Sequence, residues 1–251
     1  MKTDDTRAQL LQILRDLRLP TVRDYYQDAA RLAQQESLSY EQFLKDVLER
    51  ECEARWQSRV ERLTALSHLP LEKTFDNCDL TRLPLRAQQQ VRALQSGLFV
   101  KRRENVLAFG NPGSGKTHLL CAVSHLLIRQ GYRVLYTTTS TLVQELLVAK
   151  RDLCLPRLLK RLSRFDAILV DDLGYVQQSR EEMEVLFTLL AERYERGSVL
   201  ITSNLPFSEW ERIFKDPMTT AAAIDRLVHH CLIVELNLQS YRMAAAHSRA
   251  D

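Results

Sequence analysis

Residues 110–117 read GNPGSGKT, glycines set around a lysine and a threonine, and that spacing suits the handling of phosphate. Gly110, Gly113 and Gly115 let the backbone turn so that several N–H groups converge on one phosphate at the positive end of the helix that follows. Lys116 can then reach the β and γ phosphates, and the Thr117 hydroxyl can join a Mg²⁺ shell, so the segment reads as a site for ATP and Mg²⁺. The expected lining is Gly110, Asn111, Pro112, Gly113, Ser114, Gly115, Lys116 and Thr117, with His118 directly after. A glycine turn ahead of an ordinary helix is the plain alternative, but an apolar strand precedes this octet and a helix follows it, as the chemistry requires.

Further along, FDAILVDD (165–172) is a buried strand ending in two acids. Asp171 is expected to hold Mg²⁺ through water and Asp172 to polarise the attacking water. Asp172 stands where many such ATPases carry glutamate, and the shorter carboxylate reaches less far. A later strand ends in ITSN (201–204), so Thr202 and Asn204 are expected where a polar side chain touches the γ phosphate or the lytic water. Arg226 and Arg242 are candidates for stabilising charge in the transition state. Lys116, Asp171, Asp172, Asn204, Arg226 and Arg242 make up the expected catalytic set.

The elements that must position these residues show in the periodicity. Strand patterns occur at 105–109, 133–137, 167–170, 199–202 and 232–236, with helical patterns between them after Lys116, Ser140, Pro156, Ser179 and Thr220. Such alternation means an α/β fold with a parallel sheet covered on both faces. The chain ahead of it is helical. Leu10, Leu14 and Leu17 share a face, then Val22, Tyr25, Tyr26, Ala29, Ala30 and Ala33, and a long helix begins at Ser39 with a Ser39/Gln42 capping box. Residues 68–84 lose this periodicity and hold two prolines. The expected organisation is a helical domain at 1–67 for oligomer or partner contacts, a linker at 68–84 and the ATPase domain at 85–251.

A length of 251 residues accommodates one ATPase core with an extension. Apolar residues at 45% and charged residues at 27% exclude a disordered or collagen-like chain. No apolar run approaches the ~18 residues of a membrane span, and the N-terminus lacks the basic flank of a signal peptide, so no membrane association and a cytoplasmic location are expected. The five cysteines are scattered without metal-ligand spacing. A net charge of +3 is too small to argue for nucleic acid, so the distribution matters more. The most basic window is 149–165, where Lys150, Arg151, Arg157, Lys160, Arg161 and Arg164 face one acid, Asp152. These six are the candidate contacts to duplex DNA, sequence-independent and salt-sensitive; a solvated basic helix face is the alternative.

The order P-loop, acid pair, Asn, Arg, Arg resembles the AAA+ ATPases. LVDDLGY (169–175), ITSNLPFSEW (201–210), AIDRLVHH (223–230) and SYR (240–242) resemble the IstB-like helper ATPases of bacterial insertion sequences, relatives of the DnaC and DnaI helicase loaders. The likeness spans nearly the whole chain. It implies an AAA+ core with a five-stranded parallel sheet between helices, a small all-helical N-terminal domain and no C-terminal lid domain. It implies a transposition helper that forms a homo-oligomer on target double-stranded DNA with ATP, recruits or stimulates a transposase, and disassembles on hydrolysis. By the same resemblance Arg226 is the arginine finger given to a neighbouring subunit, Arg242 the sensor-II arginine, and the adenine base lies near residues 75–80. The alternative is a DnaC/DnaI-like loader of a replicative helicase. A small-molecule kinase fits the ITSN strand end and the Arg226 to Arg242 layout less well than a switch that hydrolyses ATP in water.

Overall fold

The computed structural model describes residues 2–174, 179–210 and 217–236. It divides into two compact units, Met1–Arg62 and Leu63–Asp251.

The first unit is helical: α1 (Lys2–Asp16), α2 (Pro20–Gln35) and α3 (Tyr40–Ser67), the last running on past the boundary. Pro20 opens α2, where a missing N–H costs nothing. Ser39 caps α3 as expected: its Oγ accepts from Gln42 N at 3.2 Å, and Gln42 Oε1 accepts from Ser39 N at 2.9 Å. Leu14, Val22, Ala29 and Val47 form a small core, with Tyr25 and Tyr26 packed against it. Glu51, 3% exposed, replaces the helix cap that Leu19 cannot supply; its Oε2 accepts from Thr21 N and Val22 N, and its Oε1 accepts from Arg55 Nε at 2.7 Å. Burial works to raise the Glu51 pKa, but the Arg55 guanidinium and the two backbone donors outweigh it and hold it below the usual value.

In the second unit a short 3-10 turn at Phe75–Asn77 and another at Leu80–Arg82 lead into α4 (Leu85–Gln95) and the brief α5 (Leu98–Lys101). Residues 68–84 thus belong compactly to this unit. Two histidines of the helix α6 (Lys116–Arg129) hold them, His118 Nε2 against Thr74 O at 2.9 Å and His125 Nε2 against Pro70 O at 3.0 Å. The sheet then follows: β1 (Asn105–Phe109), β2 (Val134–Thr138), β3 (Ala167–Leu173), β4 (Ser198–Ser203) and β5 (Cys231–Glu235). Its order is β2-β3-β4-β1-β5, every pair parallel. Between the strands come α7 (Thr139–Arg151), α8 (Leu155–Leu162), α9 (Arg180–Arg193) and α10 (Pro217–Val228).

Alternate strand residues Leu107, Phe109, Ile168, Val170, Val199 and Ile201 enter one core cluster with α7, α8 and α9. Helix α6 takes no part in that cluster yet lies along β1, β2, β3 and β4, which puts it on the other face. Being enclosed by sheet and α4, α6 is buried nearly all round, and burial pushes the Cys121 thiol on it up to about 12. That thiol stays protonated and inert. Arg193, the last residue of α9, is buried and donates to the carbonyls of Leu162, Phe165, Asp166 and Ser198 at 3.0–3.2 Å. Burial lowers its pKa to about 10, so it remains a cation at neutral pH, tying the end of α8 to the starts of β3 and β4. Among the described residues no helix is long and apolar enough to cross a membrane. The expectation of no C-terminal lid concerns residues beyond Leu236, outside the described residues.

Candidate nucleotide site

A parallel sheet gathers the carboxyl ends of its strands on one edge, and the crevice there is where α/β folds bind ligands. Here that edge carries the loop 110–115 after β1, the acids at the end of β3 and the polar residues ending β4. A cavity of about 530 Å³ opens on it, lined by Gly113, Lys116, Thr117, Asp172 and Asn204 and, from the end of the first 3-10 turn and the link to the second, by Asn77, Cys78 and Asp79.

The loop backbone depends on glycine at two places. Gly110 lies at φ +152°, and a Cβ there would come within 2.2 Å of the Leu236 carbonyl oxygen, so no side chain fits. Gly115 ends the loop at φ +92° as the cap of α6, and a Cβ on it would meet nothing within 4 Å; the space in front of the helix N-terminus is open. Beside it the Ser114 hydroxyl oxygen is buried with no hydrogen-bond partner among the described residues. An open helix N-terminus, an unpartnered buried hydroxyl and a lysine together fit a polyphosphate. Lys116, 7% exposed, donates from Nζ to the Gly110 and Asn111 carbonyls at 2.8 and 3.0 Å, with its charge held over the loop.

Between β3 and β4 the register slips by one: Val170 pairs with Ile201, but Leu173 pairs with Ser203. The extra residue is a bulge, and its backbone turns Asp172 to φ +60°, a left-handed conformation that aspartate tolerates better than most residues. The bulge separates the two acids. Asp171 turns inward at 4% exposure, whereas Asp172 faces the cavity. Thr202 spans both: its Oγ1 donates to Asp171 Oδ1 at 2.5 Å and accepts from Asp172 N at 2.8 Å. This corrects the sequence expectation for Thr202, which is fully buried under the acids and holds them. Asn204 does line the cavity, its loop fixed by Ser203 Oγ, which donates to Leu173 O, and by buried Trp210, whose Nε1 donates to Leu205 O at 3.1 Å.

The Asp171 carboxylate accepts three hydroxyl hydrogen bonds. Besides Thr202, Thr117 Oγ1 donates to Oδ1 at 2.8 Å and Tyr136 OH donates to Oδ2 at 3.0 Å. Burial first, then the charge and hydrogen bond of Asp171, drive the Tyr136 pKa upward, so the phenol remains a donor. Sequence reasoning missed Tyr136. Its signal was a lone tyrosine near the end of β2, legible only once β2 pairs with β3 so that Thr138 stands opposite Asp171.

The other expected residues divide. His118 lines the cavity while holding Thr74. Arg226 lies elsewhere, its guanidinium over the Phe187 ring at 4.7 Å and its Nη1 buried without a hydrogen-bond partner among the described residues. Arg242 lies outside the described residues. Of the basic window, all six residues are exposed, but three are neutralised: Lys150 by Glu184, Arg151 by Asp152 and Arg161 by Glu145, each at 3.1 Å. Arg157, Lys160 and Arg164 have no ion pair among the described residues.

The IstB-like ATP binding protein family matches residues 12–249, nearly all of the chain and the whole of the site just described. The chain belongs to this family. Among IstB-like relatives, an insertion sequence ATP-binding protein of Sinorhizobium fredii is 43% identical over 240 residues, covering 95% of this chain and 80% of that one. The insertion sequence IS21 ATP-binding protein of Pseudomonas aeruginosa is 34% identical, covering 94% and 89%. Solved structures share the AAA+ fold at low identity. The DnaC helicase loader matches at TM-score 0.55 and 18% identity over 66% of this chain and 98% of its own, and DnaI at 0.56 and 20% over 71% and 98%. AMPPCP-bound DnaA from Aquifex aeolicus matches at 0.57 and 18% over 73% of this chain, which spans just over half, 56%, of that one. This chain is therefore an IstB-like ATP-binding protein, a P-loop ATPase with the AAA+ fold.

Proposed function

We propose that this chain is an ATP-driven helper of DNA transposition, which oligomerises on target duplex DNA with ATP, recruits or stimulates a partner transposase, and leaves when ATP is hydrolysed. The observation that carries the reading is the shared Thr202 between two acids of different exposure, a buried metal-side carboxylate and a water-side carboxylate, in a family of insertion-sequence proteins.

In this reading the N–H groups of residues 113–117 bind the triphosphate, and Lys116 exchanges its loop carbonyls for phosphate oxygens. Thr117 and Asp171 would hold Mg²⁺, since they already lie 2.8 Å apart with the carboxylate oriented from below by Thr202 and Tyr136. Bound there, Mg²⁺ supplies charge neutralisation at the β and γ phosphates. Asp172 and Asn204 orient the attacking water, Asp172 as the base. Asn77, Cys78 and Asp79 are candidates for the base and ribose end of the cavity. Arg226, being away from its own cavity, is suited to serve the site of an adjacent subunit, with Arg242 as the sensor within the chain. The basic window supplies DNA contacts, chiefly through Arg157, Lys160 and Arg164, whose charges are not met by acids among the described residues.

Sedimentation of the full chain with duplex DNA tests this directly. ATP should drive assembly on DNA and Lys116→Ala should abolish it, while Asp172→Asn should bind ATP, assemble and fail to disassemble. A protein that stays monomeric with ATP and DNA together overturns the reading. Likeness to nearly the full DnaC and DnaI structures favours a second reading, a helicase loader. Capture of a replicative helicase in place of a transposase would select it.

A further inference from the structure

At the opposite edge of the sheet from the P-loop, one ligating atom each from Glu195, His229 and His230 lie within 4.8 Å of one another, all three residues exposed. Glu195 stands in the turn between α9 and β4; the two histidines form the turn between α10 and β5. His230 O accepts from Asn105 N at 2.7 Å, which fixes the cluster beside the first residue of β1 and far along that strand from the loop at 110–117.

We propose that Glu195, His229 and His230 form a binding site for a divalent transition metal of the zinc class, separate from the nucleotide site. The donors are two imidazoles and one carboxylate, the set that suits Zn²⁺, Co²⁺ or Cu²⁺ and leaves a coordination position open to water or to a group from another molecule. Hard Mg²⁺, which keeps oxygen ligands and most of its waters, has no claim on it. Cys231 is the next residue, but its thiol lies partly buried on the Leu232 carbonyl at 3.5 Å, so sulfur stays outside the set.

The turn and the helix end that carry the donors are held before an ion arrives. Arg103 Nη1 donates to Glu195 O at 2.5 Å, pinning the turn in which Glu195 sits at φ +56°. Tyr194 OH meets His229 Nδ1 at 3.2 Å, an outer partner of the kind that orients metal-bound imidazoles. The two imidazoles pack edge to face, centroids 4.3 Å apart, with His229 N on Asp225 O at 3.0 Å closing the helix end. An ion here joins the α9–β4 turn to the end of α10, one turn from Arg226. Occupancy would then fix the helix that carries this arginine; that consequence rests on the role proposed for Arg226, but the site itself does not.

The test is titration of the full-length protein with Co²⁺, read by its visible absorption, followed by Zn²⁺ displacement. Roughly one equivalent should give intense bands of a four- or five-coordinate ion, bleached by Zn²⁺ and unaffected by excess Mg²⁺. His229→Asn and His230→Asn should each weaken binding at least tenfold, Glu195→Gln several-fold, and His68→Asn, exposed and outside the cluster, should not. Cu²⁺ bound to the unsubstituted protein should show two imidazole nitrogens by electron paramagnetic resonance, a reading independent of how well the variants fold. Absence of Co²⁺ bands, bands unchanged in both histidine variants, or fewer than two nitrogens on Cu²⁺ overturns the proposal. None of these readouts involves ATP or DNA, so failure of the transposition reading leaves them untouched.

Discussion

Tyr136 OH donates to Asp171 Oδ2 at 3.0 Å, reaching from β2 to the acid that ends the neighbouring strand. Thr202 approaches the same carboxylate from the other side, on β4. Asp171 is thereby aimed at Thr117 by residues from two flanking strands.

Loss of the phenol is expected to be mild. Tyr136→Phe removes one hydrogen bond worth about 1 kcal/mol and leaves the ring packed, so turnover should fall about fivefold with ATP affinity little changed. Thr202→Val, near-isosteric, strands the Asp172 N–H and leaves Asp171 Oδ1 to Thr117 alone, and should lower turnover by roughly thirtyfold, since an unmet buried group costs about 1–3 kcal/mol. Steady-state hydrolysis assays and fluorescent-nucleotide titration separate the two effects.

The second unit should depend heavily on Arg193. Arg193→Met leaves four carbonyls at the ends of α8, β3 and β4 without their donor, and should destabilise the unit by about 3 kcal/mol, lowering Tm by roughly 6–12 °C. Gly197→Ala should act through the same group, because its Cβ would fall 2.4 Å from an Arg193 guanidinium nitrogen. Thermal melts of both variants check this, and an unchanged Tm in Arg193→Met refutes the role.

In the first unit, Glu51 sets an acid limit. Its pKa is lowered on folding, so its stabilisation is full above the ordinary carboxylate value of 4.5 and is lost as pH falls below it. Helicity of the full chain should therefore drop with acidification through this range. Glu51→Gln should be less helical at neutral pH and should flatten the dependence, as circular dichroism between pH 7 and pH 3 would reveal.

For DNA, the ion pairs rank the basic residues. Each of Arg157→Ala, Lys160→Ala and Arg164→Ala should weaken binding and reduce the slope of log affinity against log salt by about 0.9 per contact. Arg151→Ala and Lys150→Ala should do much less, since Asp152 and Glu184 already meet those charges. Fluorescence anisotropy across a salt series decides between this ranking and a uniform basic face.

Motifs that act through local chain geometry were legible from sequence. The octet 110–117, the strand ending in Asp171 and Asp172, and the Ser39 capping box depend on near neighbours and appear as read. What depends on pairing was hidden. The one-residue slip between β3 and β4 sends Asp171 and Asp172 to different environments and puts Thr202 beneath them, and nothing in VDD or ITSN announces a slip. Tyr136 was hidden for the same reason. Helix α4 is not among the expected elements although Ala87, Val91 and Leu94 recur at helical spacing, because the prolines at 70 and 84 read as a linker.

The position of β1 also governs when the site can exist. This strand, which delivers the P-loop, lies between β4 and β5, and its partners at Leu200 and Leu232 are made roughly 90 and 125 residues after Val106. At about 5–20 residues per second, a growing chain carries its phosphate loop for several seconds with both flanking edges missing. Nucleotide capture is therefore among the last events in the birth of this protein, and a chain cut short before β5 leaves the ribosome with the complete motif and no site.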